Sequence, residues 1–148
     1  MLANRSIPSV TVIPELAYAD VSQAVAWLRA AFGFAERLRI GNHRVQLTYG
    51  AGAVVARDGG SAPRDAPSAA AADHSIMVRV EDADAHHARA VAAGARILQP
   101  PTDHPFGERQ YSALDIGGHA WTFTQSIADV DPASWGGELV ADPGVGAS

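Results

Sequence analysis

The sequence predicts an α+β fold of two tandem βαβββ modules whose facing mixed sheets form a cup, and three observations predict it. A capped, amphipathic helical pattern occurs twice, from Asp20 to Gly33 and from Asp82 to Gly94, with the two aspartates 62 residues apart. A short apolar run precedes each copy, Val10–Leu16 in the first and Ile76–Val80 in the second. Two strand-like segments joined by a glycine turn close each copy. An internal repeat of this kind decides architecture before any local propensity does. Each copy leaves one sheet face bare, and pairing those faces creates a cup.

The elements follow in order. Val10–Leu16 is rich in β-branched residues and reads as the first strand, with Pro14 marking an edge or irregular position. Asp20 is a good N-cap because its carboxylate can accept from the free amides of the first turn. Val21, Val25, Leu28 and Phe32 then form an apolar stripe on one helical face, and Gly33 supplies the left-handed stop. Phe34–Ile40 and His43–Tyr49 read as strands, and the Gly50-Ala51-Gly52 turn leads into Ala53–Arg57. In the second copy, His74–Val80 is a strand and Ala83–Ala93 a helix capped by Asp82. Arg96–Gln99 is a short strand, Pro100–Pro105 a loop, Glu108–Ile116 a strand, and Gly117-Gly118 a turn into Ala120–Gln125. The expected organisation is a first module at 1–57, a linker at 58–73, a second module at 74–126 and a tail at 127–148. The Gly/Pro/Ala/Ser-rich linker has no periodicity and reads as mobile. In the tail, Ala128–Trp135 suggests a single helical turn, and Gly136–Ser148 reads as frayed.

Composition excludes several functions. A hydrophobic content of 47% with 18% charged residues is that of a folded globular domain and not a disordered chain. A formal charge of −5 with no basic run argues against nucleic acid, whose phosphate counterions must be displaced by cations. The absence of cysteine removes disulfides, thiolate metal ligands and thiol nucleophiles. Neither a signal core nor an apolar run long enough to span a membrane is present, so the expected location is cytoplasmic, with no membrane partner. No phosphate loop or dinucleotide fingerprint occurs, since no helix follows Gly50-Ala51-Gly52.

Within residues 8–126, several stretches resemble the vicinal oxygen chelate superfamily of glyoxalases, extradiol dioxygenases and bleomycin-resistance proteins. They are Tyr18-Ala-Asp20, Ala26-Trp-Leu28 and Phe32-Gly-Phe34 in the first half. In the second half they are His74–Asp82, Ala92-Ala-Gly94, Phe106–Tyr111 and Asp115–Phe123, the last with Ile116 where the family usually has proline. The motifs are specific for the fold and not for one activity, because the scaffold hosts many chemistries. Alternation along the strands places Arg44, Gln46 and Thr48, and Ser75, Met77 and Arg79, on the cup-facing side. Glu15 shares that side, and Thr122 joins it on the last strand. Such a cup is more polar than a core, as suits a small-molecule site.

Metal-using members of the family carry one His or Glu at each of four cup positions. The resemblance places these at Ile13, Val55, Ser75 and Thr122, none of which carries a carboxylate or imidazole. Divalent ions bind through nitrogen and oxygen donors, so no metal and no cofactor are expected at this site. A slip of one residue would aim His74 into the cup, but without three partners. Other residues admit two readings each. Glu15, if desolvated, would serve as a general base; alternatively it forms an ion pair with Arg44 or Arg79. In the family pattern Arg109 and Tyr111 flank the cup mouth, either contacting ligand or anchoring a loop. His86 and His87 read as a solvated helix face, while His104 and His119 read as structural. Trp27, Phe32, Phe34, Trp121 and Phe123 are expected in the core.

The leading reading is a metal-free protein that binds a small organic ligand in the cup, through Glu15, Arg44, Gln46, Ser75, Met77, Arg79 and Thr122 on the cup-facing side and Arg109 and Tyr111 at its mouth, and the resemblance implies a homodimer. The alternative is an enzyme of lyase, isomerase or dioxygenase type with a non-standard site, using Glu15 or Tyr111, or with metal ligands such as His43, His74 or His119. A third reading is a scaffold with an empty cup.

Overall fold

A computed structural model describes residues 2–61 and 67–140. The first module comprises β1 (Glu15–Ala17), α1 (Val21–Phe32), β2 (Ala35–Ile40), β3 (Arg44–Tyr49) and β4 (Gly52–Arg57). The second repeats the order with β5 (Ser75–Arg79), α2 (Ala83–Ala92), β6 (Arg96–Asp103), β7 (Glu108–Leu114) and β8 (Ala120–Ser126). Each forms a four-stranded mixed sheet, ordered β1-β4-β3-β2 in one and β5-β8-β7-β6 in the other. The first strand of each lies parallel to the last, and the other pairings are antiparallel. The fold is α+β, as the repeat predicts.

The helices start and stop where capping chemistry requires. Asp20 accepts from the Gln23 amide at 3.0 Å and Asp82 from the Ala85 amide at 3.0 Å. Gly33 ends α1 in the left-handed region at φ 81°. The differences from expectation lie in the strands. β1 begins at Glu15, because Pro14 has no amide to donate and contributes only its carbonyl, which accepts from Val55. β6 runs to Asp103, through the prolines expected to form a loop. It is an edge strand with register shifts between Ile97 and Gln99 and again between Gln99 and Thr102, where proline's missing donor costs nothing. A single 3-10 turn at Pro132–Trp135 answers the expectation in the tail. Residues 62–66 of the expected linker and 141–148 of the tail, expected to fray, lie outside the described residues.

The two modules share one core. Leu16, Leu28, Phe32, Phe34 and Leu47 of the first pack with Val80, Tyr111, Trp121 and Phe123 of the second. Phe32 sits at the centre, with ring centroids 5.5 Å from Trp121 and 4.7 Å from Phe123. The helix faces are therefore consumed in joining the modules, and the opposite sheet faces carry the polar residues of the strands. Trp27 is only part-buried, but its indole donates to the Ala93 carbonyl at 3.1 Å, and Arg89 of α2 donates to the carbonyls of Ala30 and Arg29 at the end of α1.

One polar knot crosses the same junction. The Tyr18 hydroxyl, just before α1, donates to buried Asp115 in the β7–β8 turn at 2.6 Å. Asp115 also accepts from the Trp121 indole and from the amides of Gly117 and His119. Burial, then the Asp115 charge and hydrogen bond, push the Tyr18 phenol well above its ordinary value. A Cβ at Gly117 would lie 2.6 Å from the Tyr18 ring, so only glycine lets the tyrosine reach the turn. Tyr18→Phe is expected to destabilise the fold by about 1–3 kcal/mol, the scale for a buried bond to a charged acceptor. Urea unfolding of the two proteins measures this, and an unchanged midpoint would refute it.

Candidate functional site

Strand register defines the free face of the first sheet. Val55 is the partner of both Glu15 and Gln46, and Arg44 is the partner of Arg57, so these side chains share one face. Glu15 pairs with Arg44 at 2.9 Å and lies 3.8 Å from Arg57; it is an ion-pair residue here, and its partner is not Arg79. All three side chains are substantially exposed, so the pairing contributes little stability. Gln46 lies on the expected face but is 3% exposed, because the N-terminal segment covers it. Its amide nitrogen donates to the Ser6 carbonyl at 2.8 Å, and its amide oxygen accepts from Arg37.

On the second sheet, Ser75, Met77 and Arg79 pair in register with Ala120, Thr122 and Thr124, and β7 extends the face. Met77 is 62% exposed, large for a methionine and available to a ligand. A ladder of hydrogen bonds crosses the strands beside it. Ser112 and Thr122 hydroxyls are 3.1 Å apart, Gln110 donates to Thr124, and Thr124 donates to Glu108 at 2.7 Å. Arg79 donates to the Ser126 hydroxyl at 2.6 Å. Desolvation pushes the Glu108 carboxyl up, but hydrogen bonds from Ser126 and Thr124 and the Arg79 charge outweigh it and hold it below its ordinary value. Alternation along the last strand places Thr124 on this face, but sequence reasoning missed Glu108, Gln110, Ser112 and Ser126. The signal was there: residues sharing Thr122's parity on β8, and their partners on β7, must share its face.

That same rule corrects two expected site residues. Arg109 pairs with Gln125 and Tyr111 with Phe123, so both lie on the helix side. Tyr111 is fully buried, stacked on Phe123 with centroids 5.0 Å apart, and is not at the cup mouth. Arg109 pairs with Asp103 at 2.7 Å and with Asp84 in the first turn of α2 at 3.1 Å; it anchors β6 and α2. His86 is also corrected: it is 8% exposed, not solvated. Its Nε2 faces the Phe32 carbonyl at 2.9 Å, which can only accept, so Nε2 carries the hydrogen and Nδ1 accepts from the Tyr111 hydroxyl at 2.5 Å. His87, half-buried, packs edge-on against the Tyr111 ring. His119 bonds through Nε2 to the Ala17 carbonyl, a structural role.

The family's metal positions do not suit a metal here. Val55 is aliphatic and buried, Ile13 is aliphatic, and Thr122 already shares a hydrogen bond with Ser112. Two hydrocarbon side chains and two hydroxyls lack the imidazole or carboxylate donors that divalent ions require. Among the described residues, no group of three or more His, Asp or Glu is placed to hold one either.

A cleft of about 1150 Å³ runs between the modules. Phe34, Tyr49, Val54, Ile76, Val78 and Val80 give it apolar walls; Val12 and Pro14 lie on one side and Met77, Arg79 and Ser126 on the other. Glu81, Asp82 and Arg89 complete the lining with charge, and His86 reaches it from α2. Of the expected set, Met77 and Arg79 line the cleft; Glu15, Arg44, Gln46, Ser75 and Thr122 lie on the sheet faces outside it.

Paired βαβββ modules, each with a four-stranded mixed sheet, define a two-module α+β cup fold. The sequence model of the Glyoxalase/Bleomycin resistance protein/Dioxygenase superfamily matches residues 7–123, and the chain belongs to that superfamily. Among solved structures it is similar to TioX from Micromonospora sp. ML1, at 38% identity and a TM-score of 0.66 over 80% of this chain and 100% of that one. It shares its fold with a glyoxalase/bleomycin resistance protein/dioxygenase from Nocardioides, at 16% identity and a TM-score of 0.60 over 89% of this chain and 91% of that one. It also shares the fold of a lactoylglutathione lyase from Agrobacterium tumefaciens, at 18% identity and a TM-score of 0.60 over 81% and 96% of the two chains. No curated protein matches the chain.

Two expectations follow. Purified protein dialysed against a weak chelator should retain no stoichiometric divalent ion; bound metal that is lost in Ser75→Ala or Thr122→Ala would overturn the donor argument. The second concerns acid. Burial, against the Phe32 carbonyl bond and with the Arg89 charge, lowers the His86 pKa below its ordinary 6.5. The unfolded chain thus takes up a proton near that pH that the folded chain refuses until lower pH. This makes a contribution to stability that falls as pH drops through the interval and then levels. Urea midpoints of wild type and His86→Gln at about pH 7.5 and about pH 5.5 should differ most in their acid loss, with the variant losing less. Equal losses would remove His86 as the cause.

Proposed function

We propose that this protein binds a small organic molecule without a metal, in the cleft and on the adjoining face of the second sheet. The cleft carries the reading: apolar walls with a few fixed polar groups are what small-molecule sites present. Met77 offers adaptable apolar contact. Arg79, held by Ser126 and near the Glu108 carboxylate, offers an oriented donor beside it. The donor-poor family metal positions support binding over metal-assisted catalysis. The sheet faces not used to join the modules are the surfaces left for a second copy, and we take the working form to be a homodimer, as the family resemblance implies. Among the described residues no helix is long and apolar enough to cross a membrane. We place the protein in the cytoplasm, with no nucleic-acid partner.

Thermal-shift screening of small organic molecules with a chelator present tests this reading. A hit should bind at least about tenfold more weakly to Arg79→Ala, which is about 1.4 kcal/mol. The melting temperature without ligand should change little, because water replaces a partner lost from an exposed face. A large stability loss with unchanged affinity would make Arg79 a structural residue. Sedimentation at micromolar concentration should give twice 15.4 kDa, and the single-chain mass at every concentration would contradict the dimer.

A further inference from the structure

Two donors of the first sheet, exposed Arg37 and buried Gln46, already hold an occupant, and it comes from the chain itself. Residues 4–7 form a turn in which the Asn4 side chain accepts from the Ser6 amide at 3.0 Å and the Asn4 carbonyl accepts from Ile7. The turn presents two consecutive carbonyls to the sheet. The Arg5 carbonyl accepts from Arg37 Nη2 at 2.8 Å, and the Ser6 carbonyl from Gln46 Nε2 at 2.8 Å. Arg37 Nη1 also donates to Gln46 Oε1, which locks the amide so that its nitrogen points outward. Pro8 then packs down and is buried, while Leu2 and Ile7 stay exposed at 93% and 51%.

The backbone explains why Arg37 is available. The pairing of β2 with β3 shifts between Glu36 and Leu38, so Arg37 is the extra residue of a bulge with no cross-strand partner of its own. Bulges re-aim side chains in this way, often beside functional sites. A glutamine buried on a sheet face needs partners for both ends of its amide, and an unsatisfied one is costly. Arg37 serves the amide oxygen and the Ser6 carbonyl of the N-terminal turn serves the amide nitrogen, and a carbonyl in that place is a chemistry any carbonyl-bearing molecule can match.

We propose that Arg37 and Gln46 form a carbonyl-reading subsite on the first sheet, and that residues 4–8 are a built-in occupant that a carbonyl-bearing ligand displaces. The inference rests on the reading of the protein as a binder of small organic molecules, and extends that site to the free face of the first sheet with a stated ligand chemistry. Because the occupant is tethered, its effective concentration at the subsite is high, and a competing ligand must outbind it.

The chain's own segment is the probe. A fluorescent peptide of residues 2–9 should bind the full-length Pro8→Glu variant, in which a charge in place of the buried proline releases the tethered copy. Wild type should bind it at least about tenfold more weakly, a difference of about 1.4 kcal/mol. Adding Arg37→Ala or Gln46→Glu to Pro8→Glu should weaken peptide binding by about tenfold or more. Arg37 is exposed, so its variant keeps the test valid should the change at buried Gln46 disturb folding, which circular dichroism checks. Equal binding by wild type and Pro8→Glu, indifference to Arg37→Ala, or no binding to folded Pro8→Glu would each overturn the proposal. A screened ligand that depends on Arg79 but binds wild type and Pro8→Glu alike would leave the cup reading standing and overturn only the subsite.

Discussion

The buried Asp115 carboxylate is the interaction on which the arrangement of the two modules depends. Carrying a charge away from water is costly unless every lone-pair direction is used. Here four donors converge: the Tyr18 hydroxyl, the Trp121 indole and the amides of Gly117 and His119. Three come from the second module and shape its β7–β8 turn; the fourth comes from the first and fixes how the modules meet. Gly60 supports Tyr18 from the other side, donating to its carbonyl at 3.2 Å with no room for a Cβ, which would lie 2.5 Å from the Tyr18 backbone.

Around that knot, the aromatic core divides the two faces of each sheet. Phe32, Trp121 and Phe123 hold the helix faces together, and His86 and Tyr111 add a buried hydrogen-bonded pair reaching from α2 to the Phe32 carbonyl. Burial pushes the Tyr111 phenol up and the His86 imidazole down, so both stay neutral at ordinary pH. Neutrality is what lets the pair lie against Phe32 and Phe123 without a counter-charge. The buried polar groups on this side therefore serve cohesion.

The opposite sheet faces differ in a way the repeat conceals. The second presents a row of hydroxyl, amide and carboxylate groups, with Met77 and Arg79 exposed at its edge. The first is partly occupied: the N-terminal turn covers Gln46, and Glu15 lies in an ion pair with Arg44. Corresponding positions of the two modules have thus taken different roles: the first sheet's are tied to the N-terminal turn and an ion pair, and the second sheet's are tied to one another, with Ser112, Thr122 and Thr124 buried.

The repeat, the helix caps, the fold class and the lack of imidazole or carboxylate at Ile13, Val55, Ser75 and Thr122 were all legible in the sequence. All of these rest on local patterns: a capping aspartate, a helical stripe, a left-handed glycine, the residue type at one position. Glu15, Arg44, Gln46, Ser75, Met77, Arg79 and Thr122 take the sheet face that alternation predicts, because parity is a local property of a strand. The remaining placements came from packing between elements. Tyr111 and Arg109 fall on the helix side because their register against Phe123 and Gln125 fixes it, and register belongs to a pair of strands. His86 is buried because α1 of the other module packs over it, a fact absent from its polar neighbours Asp84, His87 and Arg89. Gln46 is covered by a segment forty residues upstream, and Asp115 joins Tyr18 across 97 positions. Contacts at such separations depend on how finished elements pack, which no window of sequence records.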